Sequence, residues 1–260
     1  MSVSRVISRD GTAIAFECFG QGPPLILVVG AFNDRSAGAP LATFLAPHFS
    51  VFTYDRRGRG DSGDTAPYAV QREIDDLAAL IAEAGNSAAV FGYSSGAILA
   101  LQAAGQGLPV SKLALYDAPY IVDAKRSRAE PDHTRRLTEL LAQGRRGEAV
   151  EYFQSHVVGI PEDVVVQLRH APFRPALEEM AHTLAYETAI LGNGRLPTGL
   201  AATTTIPTLV VAGGASPFMC AAAQALGRAL PDGEVRILDG QGHDMDSSVL
   251  GPVLRAFFTQ

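Results

Sequence analysis

The chain of 260 residues is long enough for one α/β domain with an inserted segment, and two full domains would be cramped. Hydrophobic residues make up 47% of the chain and charged residues 18%, a composition that supplies a core and excludes a disordered protein. A formal net charge of -6 at pH 7 argues against nucleic acid as a partner, because binding to the phosphate backbone requires clustered lysine and arginine.

The N-terminal segment predicts a β-hairpin. Residues 3–8 and 13–18 alternate between apolar and polar and flank Asp10-Gly11, whose glycine readily takes positive φ. The same segment lacks the apolar stretch of a signal peptide. Apolar runs such as "PLILVVGAF" are also shorter than the roughly 18 to 20 residues that span a bilayer. We therefore expect a cytoplasmic protein without membrane contact.

Six short segments rich in valine, leucine and isoleucine are predicted as parallel strands, because runs that are apolar on both faces suit a sheet covered on both sides. They alternate with helical patterns, so we predict right-handed crossovers and an α/β fold with a mostly parallel, eight-stranded sheet. One strand is followed by the basic run Arg56, Arg57 and Arg59, interpreted as a turn. The strands are 25–29, 51–54, 88–92, 112–116, 207–212 and 234–238; the helices are 37–46, 68–84, 95–106, 217–230 and 246–258.

The interval 119–205 breaks this alternation. It contains several helical patterns (131–143, 146–157, 161–169 and 173–191), separated by prolines, which end or begin helices. We therefore predict a core of residues 1–118 and 206–260 and a helical cap of residues 119–205 over the strand ends. The apolar side chains of the insertion favour a hydrophobic ligand, although helix packing accounts for most of them.

Gly92-Tyr93-Ser94-Ser95-Gly96 matches G-x-S-x-G, in which the middle serine lies on a sharp turn between a strand and a helix. The flanking sequences "AAVF" and "SSGAILALQAA" predict that strand and that helix. A serine that caps the helix is the structural alternative. A serine hydroxyl is a weak nucleophile at neutral pH, so the hypothesis of a nucleophilic Ser94 requires a nearby base.

His243 is the predicted base. Of six histidines, it is the one that lies in a glycine-rich loop, "DGQGHDMD", directly after the last predicted strand. Strand-end loops of a parallel sheet converge at one edge, where the nucleophile is expected. A surface histidine in a turn is the alternative. His133, His156, His170 and His182 fall in the insertion and are interpreted as solvated or hydrogen-bonded helix residues.

These motifs together resemble the α/β-hydrolase superfamily over essentially the whole chain. "YDRRGRGDSG" is similar to the superfamily pattern D-x-R-G-x-G-x-S, matched by Asp55, Arg57, Gly58, Gly60 and Ser62. "FGYSSGA" and "GQGHD" follow in the expected order. The chain also resembles a subgroup of small bacterial serine hydrolases whose substrates are mostly unassigned. The resemblance implies the α/β-hydrolase fold and a catalytic triad.

The triad acid departs from the superfamily pattern. The resemblance places it after the strand 207–212, where the chain has Ala215 and Ser216 instead of an aspartate. Asp117 in "KLALYDAPY" ends the preceding core strand, and some superfamily members place the acid there. Asp117 is therefore the first candidate. Asp123 is the second, and a Ser-His dyad without an acid is the third.

The predicted oxyanion hole also departs from the superfamily pattern. It needs two backbone N-H groups, and Ser95, after the nucleophile, supplies one. In the superfamily the second donor usually follows a His-Gly pair, but this chain reads "LVVGAFNDRS", with Val29 in place of the histidine. We expect Ala31 to be the second donor and the support of its loop to differ. Four side chains are predicted to line the substrate pocket: Phe32, Tyr93, Tyr120 and His182.

These residues predict hydrolysis of an ester or lactone of a small hydrophobic substrate through an acyl-enzyme, the chemistry of a carboxylic ester hydrolase. Epoxide hydrolases and haloalkane dehalogenases of similar fold use an aspartate nucleophile, so Ser94 argues against both. One alternative is a lyase, cyclase or perhydrolase that uses Ser94 and His243 for proton transfer. Another is an inactive ligand-binding module.

No cofactor or metal is expected. Cys18 and Cys220 lack the spacing of a zinc site or a disulfide framework and fit a reducing compartment. We expect a monomer or a homodimer.

Overall fold

The computed structural model of the chain describes residues 2–122 and 132–260. Its eight strands form one sheet in the order β1-β2-β4-β3-β5-β6-β7-β8. The first strand pairs antiparallel with the second, the second pairs antiparallel with the fourth, and the other pairs are parallel. The predicted fold class is confirmed. The strands are β1 Ser4–Ile7, β2 Ala13–Phe19, β3 Pro24–Val28, β4 Ser50–Tyr54, β5 Ala88–Tyr93, β6 Val110–Tyr116, β7 Thr208–Gly213 and β8 Gly233–Leu238.

Two compact units are present, Met1–Ala124 with Gly194–Gln260, and Lys125–Asn193. In its described residues, the first contains the sheet and six α-helices: α1 Ala39–Leu45, α2 Val70–Glu83, α3 Ser95–Gly105, α9 Thr198–Thr203, α10 Pro217–Ala229 and α11 Ser247–Phe258. A 3-10 helix, Arg35–Gly38, precedes α1. In the described residues, no helix combines the length and the apolar character needed to cross a membrane.

The core of the first unit explains the apolar runs of the sequence. Every residue of β5 and of β7 is buried, as expected for central strands covered on both faces. One face of the sheet packs with α1 and α11. That cluster includes Leu25, Leu27, Leu41, Leu45, Phe91, Tyr93, Ala114, Tyr116, Leu209, Val211, Leu250 and Leu254.

The second unit lies within the range 119–205 that the sequence predicts as an insertion. Two predicted helices are divided: 146–157 continues as a π-helical segment, and 173–191 is broken by a short 3-10 helix. A cap function for this unit remains a prediction, and Asp123 lies outside the described residues. The elements are α4 His133–Ala142, α5 Arg146–Tyr152, the π-helix Phe153–Val158, α6 Glu162–Leu168, α7 Arg174–Glu179, the 3-10 helix Ala181–Thr183 and α8 Leu184–Leu191.

The basic run after β4 does form a turn, but its side chains are buried. Arg57 is 1% exposed and binds the carboxylate of Asp76 on α2 through Nε at 2.8 Å and Nη2 at 2.7 Å. Its Nη1 donates to Asp10 in the hairpin turn at 2.9 Å. Arg57 therefore connects the hairpin, the turn after β4 and α2 through charge-assisted hydrogen bonds.

We predict that Asp76→Ala lowers the free energy of unfolding by about 3 kcal/mol or more, because it leaves the buried guanidinium of Arg57 without its bidentate partner. Urea denaturation measures the effect. Glu234→Ala is the control, since its ion pair with Arg236 is exposed and contributes less than about 1 kcal/mol. Equal losses in the two variants would contradict the prediction.

Candidate active site

Ser94 lies at a tight turn between β5 and α3. Its backbone has φ 56° and ψ -125°, and its side chain makes no capping hydrogen bond to the helix. A Cβ at Gly96 would lie 2.2 Å from the carbonyl oxygen of Val28, and one at Gly92 would lie 2.5 Å from Cα of Ala97. Both glycines are therefore required by the close approach of backbone. Helix capping does not account for the serine.

The structure brings Ser94, His243 and Asp117 together from three separate loops. Nε2 of His243 lies 3.2 Å from Oγ of Ser94, and its Nδ1 lies 2.9 Å from Oδ2 of Asp117. The carboxylate makes Nδ1 the protonated nitrogen, which leaves the lone pair of Nε2 facing the hydroxyl. The side chain of Asp117 is fully buried, whereas that of His243 is 44% exposed.

Asp117 is held by the strand that carries the acid in the superfamily pattern. It follows β6, and its Oδ1 accepts a hydrogen bond from the backbone N-H of Gly213, the last residue of β7, at 2.9 Å. Its own N-H donates to the carbonyl of Val211 at 2.9 Å. The end of β7 thus supplies an N-H group to the carboxylate of its neighbour instead of a carboxylate of its own.

Tyr116 holds the loop that carries His243. Its hydroxyl donates to the carbonyl oxygen of Gly242 at 2.7 Å, and the carbonyl oxygen of Asp244 lies 3.2 Å away. Burial raises the pKa of this hydroxyl, which stays a donor at neutral pH. The ring of Tyr93 lies 5.0 Å from the imidazole and 5.9 Å from the Tyr116 ring. Tyr116 therefore fixes the loop that carries the imidazole, and Tyr93 packs against the imidazole ring.

The two residues predicted as oxyanion donors adjoin the serine turn, Ser95 along the chain and Ala31 through its neighbour Gly30. Ser95 is the first residue of α3, where an N-H has no acceptor within the helix. The loop of residues 30–33 approaches from β3, and a Cβ at Gly30 would lie 2.8 Å from Cβ of Ser94. Asn33 donates its side-chain amide to the carbonyl of Ala31 at 2.7 Å.

A residue that the sequence analysis missed binds this loop. Nη1 of Arg59, which is 2% exposed, donates to the carbonyl oxygen of Gly30 at 2.7 Å and to that of Asn33 at 2.9 Å. The arginine run was visible in the sequence, but no spacing indicated that one of its members reaches residues 30–33.

The four residues predicted to line the substrate pocket lie in different parts of the structure. Tyr93 packs on His243, and Phe32 is partly exposed in the loop of residues 30–33. Tyr120 is 2% exposed, and its hydroxyl has no hydrogen-bond partner among the described residues. His182 belongs to the second unit, where its Nδ1 lies 3.3 Å from Nη2 of Arg146. The described residues contain no group of His, Cys, Asp or Glu side chains that could hold a metal ion.

A family model described as "Alpha/beta hydrolase family" matches residues 25–250. Among solved structures, the chain is similar to an alpha/beta hydrolase from Sphaerobacter thermophilus DSM 20745, with 52% identity and a TM-score of 0.92 over 98% of this chain and 100% of that one.

Two curated relatives match a shorter segment. An uncharacterized hydrolase of Bacillus subtilis is 38% identical over 95 residues, which is 35% of this chain and 35% of that protein. The pimeloyl-[acyl-carrier protein] methyl ester esterase of Xanthomonas campestris pv. campestris is 36% identical over 103 residues, or 39% of each chain. The alignment therefore spans little more than a third of either curated relative.

Backbone strain is concentrated at this site. In residues 2–122 and 132–260, four non-glycine residues have positive φ, and three of them, Phe32, Ser94 and Asp117, lie here. Such conformations cost on the order of 1–3 kcal/mol each and persist where the surrounding structure enforces them.

We predict that Ser94→Gly is more stable than Ser94→Ala by about 1 kcal/mol. Glycine relieves the backbone strain at φ 56°, and this gain exceeds its larger loss of conformational entropy on folding. Urea denaturation of the two variants measures the difference. Ser111 on β6 is exposed and is not among the residues with positive φ, so there the alanine variant should be the more stable by about 0.5–1 kcal/mol. An alanine variant that is also the more stable at position 94 would show that the turn is unstrained.

Proposed function

The chain belongs to the alpha/beta hydrolase family, and we propose that it is a serine hydrolase that cleaves an ester or lactone of a small hydrophobic substrate. The observation that carries the proposal is the continuous hydrogen-bonded series from Asp117 through His243 to Ser94, at 2.9 Å and 3.2 Å. The esterase of Xanthomonas campestris adds support, since its name describes hydrolysis of a carboxylic ester.

In the proposed reaction, Oγ of Ser94 attacks the substrate carbonyl carbon while Nε2 of His243 accepts the hydroxyl proton. The buried carboxylate of Asp117 stabilises the imidazolium that forms. Negative charge on the carbonyl oxygen is stabilised by the N-H groups of Ala31 and Ser95. Collapse of this intermediate breaks the ester C-O bond, and the imidazolium protonates the leaving alcohol.

Water then releases the acyl group. His243 accepts a proton from the water as its oxygen attacks the acyl carbon, and the same proton returns to Oγ of Ser94 when the carboxylic acid leaves. The sequence of steps needs no metal and no redox partner. A lactone follows the same steps, with the alcohol and the acid remaining in one product.

The substrate class is inferred from the immediate surroundings of the serine. Tyr93 precedes Ser94 along the chain, and Ala31 and Phe32 follow Gly30, which lies next to Ser94 in space; all three are apolar or aromatic. Such surroundings favour an apolar acyl or alkyl group over a charged one, because burial of an unpaired charge is unfavourable.

A fluorophosphonate probe tests the nucleophile. We expect a single covalent adduct by intact-mass spectrometry, mapped to Ser94 by peptide analysis, and burst release of nitrophenol from p-nitrophenyl butyrate as the acyl-enzyme forms. Ser94→Ala should lose both, whereas Ser111→Ala, an exposed serine on β6, should retain both. A folded wild-type protein that binds ligand but forms no adduct and no product would contradict the proposal and favour a binding module or a non-hydrolytic enzyme.

The acid assignment has its own test. We predict that Asp117→Asn lowers kcat by at least about a hundredfold, because the amide favours the wrong imidazole tautomer. Steady-state kinetics measures the loss. The fold should persist, since the amide oxygen can still accept the hydrogen bond of Gly213. Asp232→Asn, an exposed carboxylate before β8, is the matched control. Near-normal kcat in Asp117→Asn would assign the acid elsewhere or leave a Ser-His dyad.

A further inference from the structure

The loop of residues 30–33 lacks the histidine that the superfamily pattern places at position 29, yet its backbone is held at three consecutive carbonyl groups. Nη1 of Arg56 lies 3.3 Å from the carbonyl oxygen of Val29. Arg59 binds that of Gly30 at 2.7 Å, and Asn33 binds that of Ala31 at 2.7 Å. Side-chain donors thus restrain the Gly30-Ala31 peptide, which carries the proposed oxyanion donor, and the peptide groups on both sides of it.

The contact of Arg59 lies on the peptide group that carries the Ala31 N-H. The carbonyl of Gly30 and the N-H of Ala31 belong to the same planar, trans peptide group and point in opposite directions. A donor that binds the carbonyl from one side therefore orients the N-H to the other side. This peptide lies next to the serine, since a Cβ at Gly30 would lie 3.3 Å from Oγ of Ser94.

Arg59 also brings a permanent positive charge. A guanidinium stays protonated at any accessible pH, and Arg59 is 2% exposed, so water screens it weakly. A charged donor on the carbonyl polarises the peptide and strengthens its N-H as a donor. The stronger N-H donor has its largest effect when negative charge develops on the substrate oxygen in the transition state. An interaction that is stronger in the transition state than in the ground state lowers the activation barrier.

Arg57, two residues earlier, shows that burial in this turn does not by itself imply such a role. It is equally buried, but it binds Asp76 and Asp10 and, in the described part of the chain, makes no hydrogen bond to residues 30–33. The two arginines therefore form a matched pair in one turn.

We propose that Arg59 is the positioning residue of the oxyanion hole, taking over the support of the loop of residues 30–33 by binding the carbonyl of Gly30 and thereby aiming the N-H of Ala31. The proposal rests on the proposed serine hydrolase function. Arg59 does not touch the reacting atoms and acts through the Gly30-Ala31 peptide.

The test compares Arg59→Lys and Arg59→Met with Arg57→Lys, using p-nitrophenyl butyrate and butaneboronic acid, which forms a tetrahedral adduct with a reactive serine. For Arg59→Met we expect kcat to fall by about tenfold to a hundredfold and boronic acid affinity to fall in parallel, because one oxyanion donor is misaligned. KM should change by less than about twofold, since the ground state does not depend on that donor. Arg59→Lys should show a smaller loss.

Arg57→Lys should lower the melting temperature while keeping kcat and boronic acid affinity near the wild-type values. A second measurement uses Arg59→Ala, in which free guanidinium at millimolar, non-denaturing concentrations should restore part of kcat and of the boronic acid affinity. A role confined to stability would show no such restoration.

Two results would overturn the inference, and they are distinguishable. In the first, the wild type turns over ester and binds the boronic acid, and the Arg59 variants lose no more kcat or boronic acid affinity than Arg57→Lys does. Arg59 then has no positioning role. If the wild type itself neither turns over ester nor binds the boronic acid, the proposed function fails and the inference fails with it.

Discussion

The hydrogen bond between Nδ1 of His243 and the buried carboxylate of Asp117 is the interaction on which the site depends. The imidazole lies on a loop and is nearly half exposed, whereas the carboxylate is fully buried at the end of β6. The buried partner therefore determines both the tautomer and the orientation of the exposed one. Removing it would leave Ser94 beside a histidine whose lone pair faces the hydroxyl only part of the time.

This interaction is possible because the ends of β6 and β7 together fix the position of the Asp117 carboxylate. Asp117 extends from β6, and the N-H of Gly213 on β7 binds its second oxygen. Gly213 has a second function, since a Cβ there would lie 2.2 Å from the carbonyl oxygen of Gly242, next to His243. The end of β7 thus donates to the Asp117 carboxylate, and the glycine there permits the close approach of the histidine loop.

The loop of residues 30–33, which also adjoins the serine, is held by residues other than the one in the superfamily pattern. Val29 stands where the superfamily has a histidine, and the buried arginines of the turn after β4 bind the backbone at that point instead. The charge of Arg56 is balanced nearby, since it makes a bidentate contact with Glu73, at 2.7 Å and 2.8 Å. A buried charge such as that of Arg56 is tolerated when it is paired and hydrogen-bonded.

The sequence by itself determined the local features: the hairpin around Asp10-Gly11, the six parallel strands, the turn at Ser94 and the strand end that carries His243. Each of these depends on periodicity, glycine content or a short motif, which are properties of neighbouring residues. Tertiary structure alone decided that Asp117 reaches His243, that Tyr116 holds its loop, and that Arg59 rather than Arg57 binds residues 30–33. These partners are separated by 126 residues for the acid and the histidine and by 29 for Arg59 and Gly30. The order of strands in the sheet brings them together, and side-chain direction then selects among neighbours, so no sequence spacing encodes the result.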